Sequence, residues 1–159
     1  MEASGNAQGP PTPDPALRAL DPFVGTWSMK GHLIGSDDEN IVGQSTFRWL
    51  DGGFFLLQDV ELDFAGLFEV KSHELVCYDP ETKAFSSLVF SNLSPSPLPY
   101  RWEVHDDAMT ISVNYGPLDA TFNGEMSEDR NTFSGGWRPN PGADETINVP
   151  YDIAGTRLE

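Results

Sequence analysis

Phe54-Phe55-Leu56-Leu57-Gln58-Asp59-Val60-Glu61-Leu62-Asp63-Phe64 is the stretch whose pattern decides the fold. Phe54, Leu56, Gln58, Val60, Leu62 and Phe64 alternate with Phe55, Leu57, Asp59, Glu61 and Asp63, and the second half splits into one apolar and one acidic set. Successive side chains of a strand point to opposite faces, so this pattern describes a sheet that is dry on one side and wet on the other. The same period recurs further along. Tyr100, Trp102 and Val104 alternate with Arg101, Glu103 and His105, and Met109, Ile111, Val113 and Tyr115 with Thr110, Ser112 and Asn114.

Turn chemistry separates these runs. Asp51-Gly52-Gly53 is a strong hairpin signal. Tyr78–Lys83, His105–Asp107, Gly116-Pro117 and Ser127–Asn131 read as further turns. Working outward, strands are predicted at 24–35, 41–50, 54–64, 67–78, 84–91, 99–105, 108–115, 118–126, 131–137 and 147–158. About ten short, evenly spaced strands with tight turns predict an all-β fold, an antiparallel up-and-down barrel that closes on itself. An open sandwich with Greek-key crossings is the alternative. Before the first strand, Asp14-Pro15 reads as an N-cap followed by proline at the first helical position. One helical turn is predicted over Ala16–Leu20, with Leu17 and Leu20 on one face. Residues 1–14 are rich in Pro and Gly and are expected to be a disordered tail, leaving 15–159 as a single barrel domain.

Nine Lys and Arg against 25 Asp and Glu give a formal net charge of -16, which argues against nucleic acid and against an acidic membrane surface. The single Cys77 excludes an internal disulfide, and no Cys-specific motif surrounds it. Met1 to Pro15 have neither a basic start nor an apolar stretch, and no run approaches the ~18 apolar residues of a membrane helix. The expected compartment is the cytoplasm. Asn92-Leu93-Ser94 fits a glycosylation sequon, but Pro95 follows and no export signal accompanies it.

Gly25-Thr26-Trp27, in Asp21-Pro22-Phe23-Val24-Gly25-Thr26-Trp27, together with Arg157 in the last strand, resembles the calycin barrels: lipocalins, fatty-acid-binding proteins and nitrobindins. Leu50–Leu56, Cys77–Thr82 and Ala154–Arg157 are similar to a large bacterial lipocalin-like family of unknown function, and the resemblance covers residues 20 to 158. It implies a closed barrel with a cavity, one end plugged by Trp27 with the Arg157 guanidinium on its face. Nitrobindins hold haem through a histidine near the chain end, whereas residues 131 to 159 contain none here. Fatty-acid-binding proteins hold a carboxylate with Arg and Tyr near the last strands, which would make Tyr151 and Arg157 a candidate pair.

No metal or cofactor is expected. His32, His73 and His105 lie more than thirty residues apart without ligand spacing, and no nucleophile elbow, P-loop or dinucleotide fingerprint is present. Gly135-Gly136 reads as a strand bend. What remains are polar residues on apolar strand phases: Gln58 between Leu56 and Val60, Glu74 with Val70, Ser72, Val76 and Tyr78, and Tyr151 between Val149 and Ile153. If these faces point inward, Phe47, Trp49, Leu56, Gln58, Glu74, Val89 and Tyr151 would line a cavity for a small, largely apolar molecule. A buried Glu74 or Tyr151 would then be the candidate acid or base of a cofactor-free isomerase or cyclase. Alternatively, Gln58 and Tyr151 satisfy backbone groups, Glu74 reaches solvent at the rim, and the barrel is filled by its own side chains. Register decides, because a slip of one residue exchanges the faces. The sequence does not set the oligomeric state.

Overall fold

In the computed structural model, residues 9–158 are described. Residues 1–8 of the expected tail lie outside them, and residues 9–14 form neither helix nor strand. Pro15–Phe23 is a 3₁₀ helix, with the Asp14 side chain accepting from the Ala16 amide at 2.9 Å. Side chains three apart eclipse in such a helix, which is why Leu17, Leu20 and Phe23 form one buried face. The helix runs past the single predicted turn because that spacing continues to Phe23.

Ten strands follow: β1 (Gly25–Leu33), β2 (Ile41–Trp49), β3 (Leu56–Phe64), β4 (Phe68–Asp79), β5 (Ala84–Ser91), β6 (Leu98–His105), β7 (Ala108–Tyr115), β8 (Leu118–Met126), β9 (Thr132–Pro139) and β10 (Tyr151–Leu158). Each pairs antiparallel with its sequence neighbours, and β1 pairs with β10, so the meander closes into a barrel without edges. The Greek-key alternative is thereby set aside. Two strand starts differ from the sequence reading by two residues or more. Phe54 and Phe55 belong to the hairpin turn, where Gly52 and Gly53 have φ of 96° and 79° and the Leu50 amide bonds the Phe55 carbonyl. β10 begins at Tyr151 rather than 147, because Asp144 folds the preceding chain onto itself through Thr146 and Asn148, and Pro150 has no N–H for a ladder.

The up-and-down order sorts the connections between two ends. The 3₁₀ helix and the turns after β2, β4, β6 and β8 gather at one end; the connections after β1, β3, β5, β7 and β9 gather at the other. The first end is sealed. Trp27 is fully buried, its indole N–H donates to the Phe23 carbonyl at 2.8 Å, and the Arg157 guanidinium lies 4.3 Å over its ring. Arg157 also donates to the carbonyls of Val24 (2.6 Å), Pro22 (2.8 Å) and Arg130 (2.8 Å). Inward glycines allow the tight curvature: a Cβ at Gly43 would collide with the Glu61 carbonyl oxygen of the neighbouring strand.

Arg157→Lys keeps the charge but loses the planar fork that reaches three carbonyls and stacks on the indole. Its unfolding free energy in urea is expected to fall by about 2–3 kcal/mol; an unchanged midpoint would contradict this role for Arg157.

Candidate functional site

Above the sealed end the barrel encloses a cavity of ≈ 250 Å³. Its floor is built by Phe23 from the 3₁₀ helix, whose ring lies 5.7 Å from Phe47 and 5.9 Å, edge-on, from Trp102. Toward the open end Phe64 stacks on Phe68 at 5.0 Å and meets Tyr151 edge-on at 5.0 Å. Aliphatic side chains such as Val60, Leu62, Val70 and Ile111 fill most of the wall between.

Five of the seven residues singled out for the cavity line it: Phe47, Gln58, Glu74, Val89 and Tyr151. Register explains the first four, since Phe47 opposes Gln58, Gln58 opposes Glu74, and Glu74 opposes Val89 across β2 to β5. Trp49 and Leu56 do not line it. They are partners in register at the sealed end, where Leu56 is fully buried and the Trp49 indole N–H donates to Asp21 at 3.0 Å beneath the Arg18 guanidinium. Tyr151 and Arg157 are not brought together: they occupy opposite ends of β10, about 20 Å apart along a strand. The histidines face outward, beside Asp152 for His32, Asp59 for His73 and Glu103 for His105. Among the described residues no three His, Cys, Asp or Glu side chains are grouped to hold a metal ion.

Glu74 is the chemical centre of the cavity. It is 9% exposed, and its Oε2 accepts from the Ser87 hydroxyl at 2.6 Å and the Trp102 indole N–H at 2.8 Å. Burial among apolar side chains disfavours the charged form and pushes the carboxyl well above its ordinary 4.5; the two hydrogen bonds only partly offset this. Gln58 donates to the Ser45 hydroxyl at 2.7 Å. Tyr100 also lines the cavity, and burial, reinforced by the Glu74 charge, pushes its phenol up to about 12. Burial raises the Tyr151 phenol too, with a further contribution from Tyr100.

Ser87, Tyr100 and Trp102 were not singled out from the sequence. Their phases were legible, but an aromatic residue on an apolar phase reads first as core. Glu74 opposes Val89 and then Leu98 in register, so only strand tilt carries the Trp102 indole back to its carboxyl.

The fold and site define a closed ten-stranded antiparallel barrel around an apolar cavity that holds one buried carboxyl group. The chain belongs to the family described as "Protein of unknown function (DUF1579)", whose pattern matches residues 12–134. Among solved structures it is similar to Rv2717c from M. tuberculosis, at 15% identity and a TM-score of 0.47, covering 92% of this chain and 99% of that one. No curated protein matches the sequence. No helix of the described residues is long and apolar enough to cross a membrane.

Because the folded protein holds the Glu74 proton more tightly than the unfolded chain does, this group favours folding most below pH 4.5. Its contribution is lost as pH rises from there through the raised folded value. Glu74→Gln retains an acceptor for Ser87 and Trp102 and removes the titration. Thermal unfolding should show the variant gaining stability relative to the wild type as pH rises above 4.5; parallel pH profiles would contradict the buried, titrating carboxyl.

Proposed function

We propose that this chain is a calycin-like barrel that binds a small, largely apolar molecule in its cavity. The carrying observation is the ≈ 250 Å³ space itself, walled by aromatic and aliphatic side chains with a few polar groups among them. A cavity of ~150 Å³ already takes up benzene, so this one suits a bicyclic or similarly compact ligand. The Arg157–Trp27 stack at the sealed end supports the calycin reading. Phe47, Gln58, Glu74, Val89 and Tyr151 are the side chains that would touch the ligand; Trp49 and Leu56 hold the floor beneath it. The acidic composition and the single free cysteine support a protein of the cytoplasm that works without nucleic acid or a membrane.

The buried Glu74 supports a second reading, a cofactor-free isomerase or cyclase that uses the same cavity. Its carboxyl is held by two donors, and burial raises its pKa, as general acids and bases require. Under that reading Glu74→Gln binds substrate and does not turn it over.

A naphthalene titration followed by tryptophan fluorescence tests the binding reading. It is expected to saturate at one molecule per chain, to vanish in Val89→Trp, which fills the cavity, and to survive in Val42→Trp on the outer face. A wild-type protein that takes up no naphthalene would leave the filled, structural barrel in its place.

A further inference from the structure

The polar groups of the cavity can be sorted by whether the protein itself satisfies them. Gln58 and Ser45 bond each other, and both donors to Glu74 converge on Oε2. An indole N–H can only donate, so Oε2 is an acceptor and a proton on Glu74 belongs on Oε1. That oxygen has no hydrogen-bond partner among the described residues, and neither has the Tyr100 hydroxyl, while both residues line the cavity. The two are neighbours: Tyr100 opposes Ser87 in register, and Ser87 donates to Glu74. These two O–H groups, like those of Ser72 and Tyr151, make no hydrogen bond among the described residues, and in an apolar space an unmade hydrogen bond is costly.

Among the described residues, no Lys, Arg or His lines the cavity. A carboxylate or phosphate ligand would therefore enter without a counter-charge and beside an acid. One carbonyl oxygen, by contrast, has two lone pairs for two donors.

We propose that the ligand is a neutral apolar molecule with a carbonyl group, whose oxygen accepts from Glu74 Oε1–H and the Tyr100 hydroxyl together. The proposal rests on the cavity-binding reading and specifies the class of ligand. The remaining geometry fits it. Trp137 lies edge-on to Tyr100 at 5.9 Å and opposes Tyr151 in register, so aromatic faces flank the path from the donor pair toward the open end. Burial favours the protonated form of both donors, since it raises the carboxyl and the phenol alike. A Tyr paired with a neutral carboxylic acid is a known way to hold a carbonyl oxygen and the negative charge it can develop.

Four probes of similar shape decide the matter: acetylnaphthalene, isopropenylnaphthalene, naphthoate and naphthylmethylammonium, titrated by tryptophan fluorescence. Acetylnaphthalene is expected to bind roughly tenfold or more tightly than isopropenylnaphthalene, which has a methylene in place of the oxygen. Its infrared carbonyl stretch should fall on binding, and its affinity should drop as pH rises and Glu74 gives up its proton. Tyr100→Phe and Glu74→Leu should each erase the preference for the ketone over the alkene; if the Glu74 variant fails to fold, Tyr100→Phe decides. Equal binding of the ketone and the alkene would overturn the carbonyl assignment and leave the binding reading intact. Preference for naphthylmethylammonium would overturn it in favour of a carboxylate that pairs cations, and preference for naphthoate would overturn it outright. Failure of all four probes to bind would remove the binding reading and this inference together.

Discussion

The Arg157 guanidinium, lying on the Trp27 indole and donating to carbonyls of the 3₁₀ helix, the residue before β1 and the β8–β9 turn, is the contact on which the rest depends. A ten-strand meander is only a curved sheet until its first and last strands meet, and an open sheet leaves two unpaired edges. β10 carries Arg157 to the place where β1 begins, so one side chain ties barrel closure to end sealing. The cavity then exists because the plug is local. Trp27, Leu20, Phe23 and Leu56 pack the sealed end, and the aromatic residues further up meet around a space instead of filling it.

Within that space the barrel holds a feature that works against its own stability. A carboxyl group surrounded by aromatic rings costs free energy unless it is neutral or paired. Here Ser87 and Trp102 pair one oxygen only, which fixes the orientation of the group and leaves the other oxygen toward the cavity. An unpaired donor in a dry pocket is ordinary at binding and catalytic sites, where local consistency yields to function. Elsewhere Gln58 donates to Ser45, and the Trp27 indole finds a carbonyl.

Much of the fold was legible from period-two alternation and turn residues, because both act over a few neighbouring residues. Asp51-Gly52-Gly53 announced its hairpin, and Asp14-Pro15 the start of the helix. Errors fell where a non-local or competing local bond decided. Phe54 and Phe55 continue the alternation, yet the positive φ of two glycines draws them into the turn. Residues 147–150 look like strand, yet the Asp144 carbonyl accepts from the amides of Ile147 and Asn148 and draws them into a loop. In the site, Gln58, Glu74 and Tyr151 stood out as polar residues on apolar phases. Trp49 shares the inward phase but sits too near its strand end to reach the cavity, a distinction that phase alone does not make. Tyr100 and Trp102 needed the tilt of β6 against β4 before their polar atoms acquired meaning.

The account turns on a neutral carboxylic acid held in an apolar cavity, and infrared difference spectroscopy reads that state directly. At a pH about one unit above the ordinary 4.5 of a glutamate, subtracting the spectrum of Glu74→Gln from that of the wild type should leave the carbonyl band of one protonated carboxylic acid. A difference spectrum with only carboxylate bands would mean that Glu74 is ionised and solvated, and would contradict the dry, donor-bearing cavity described here.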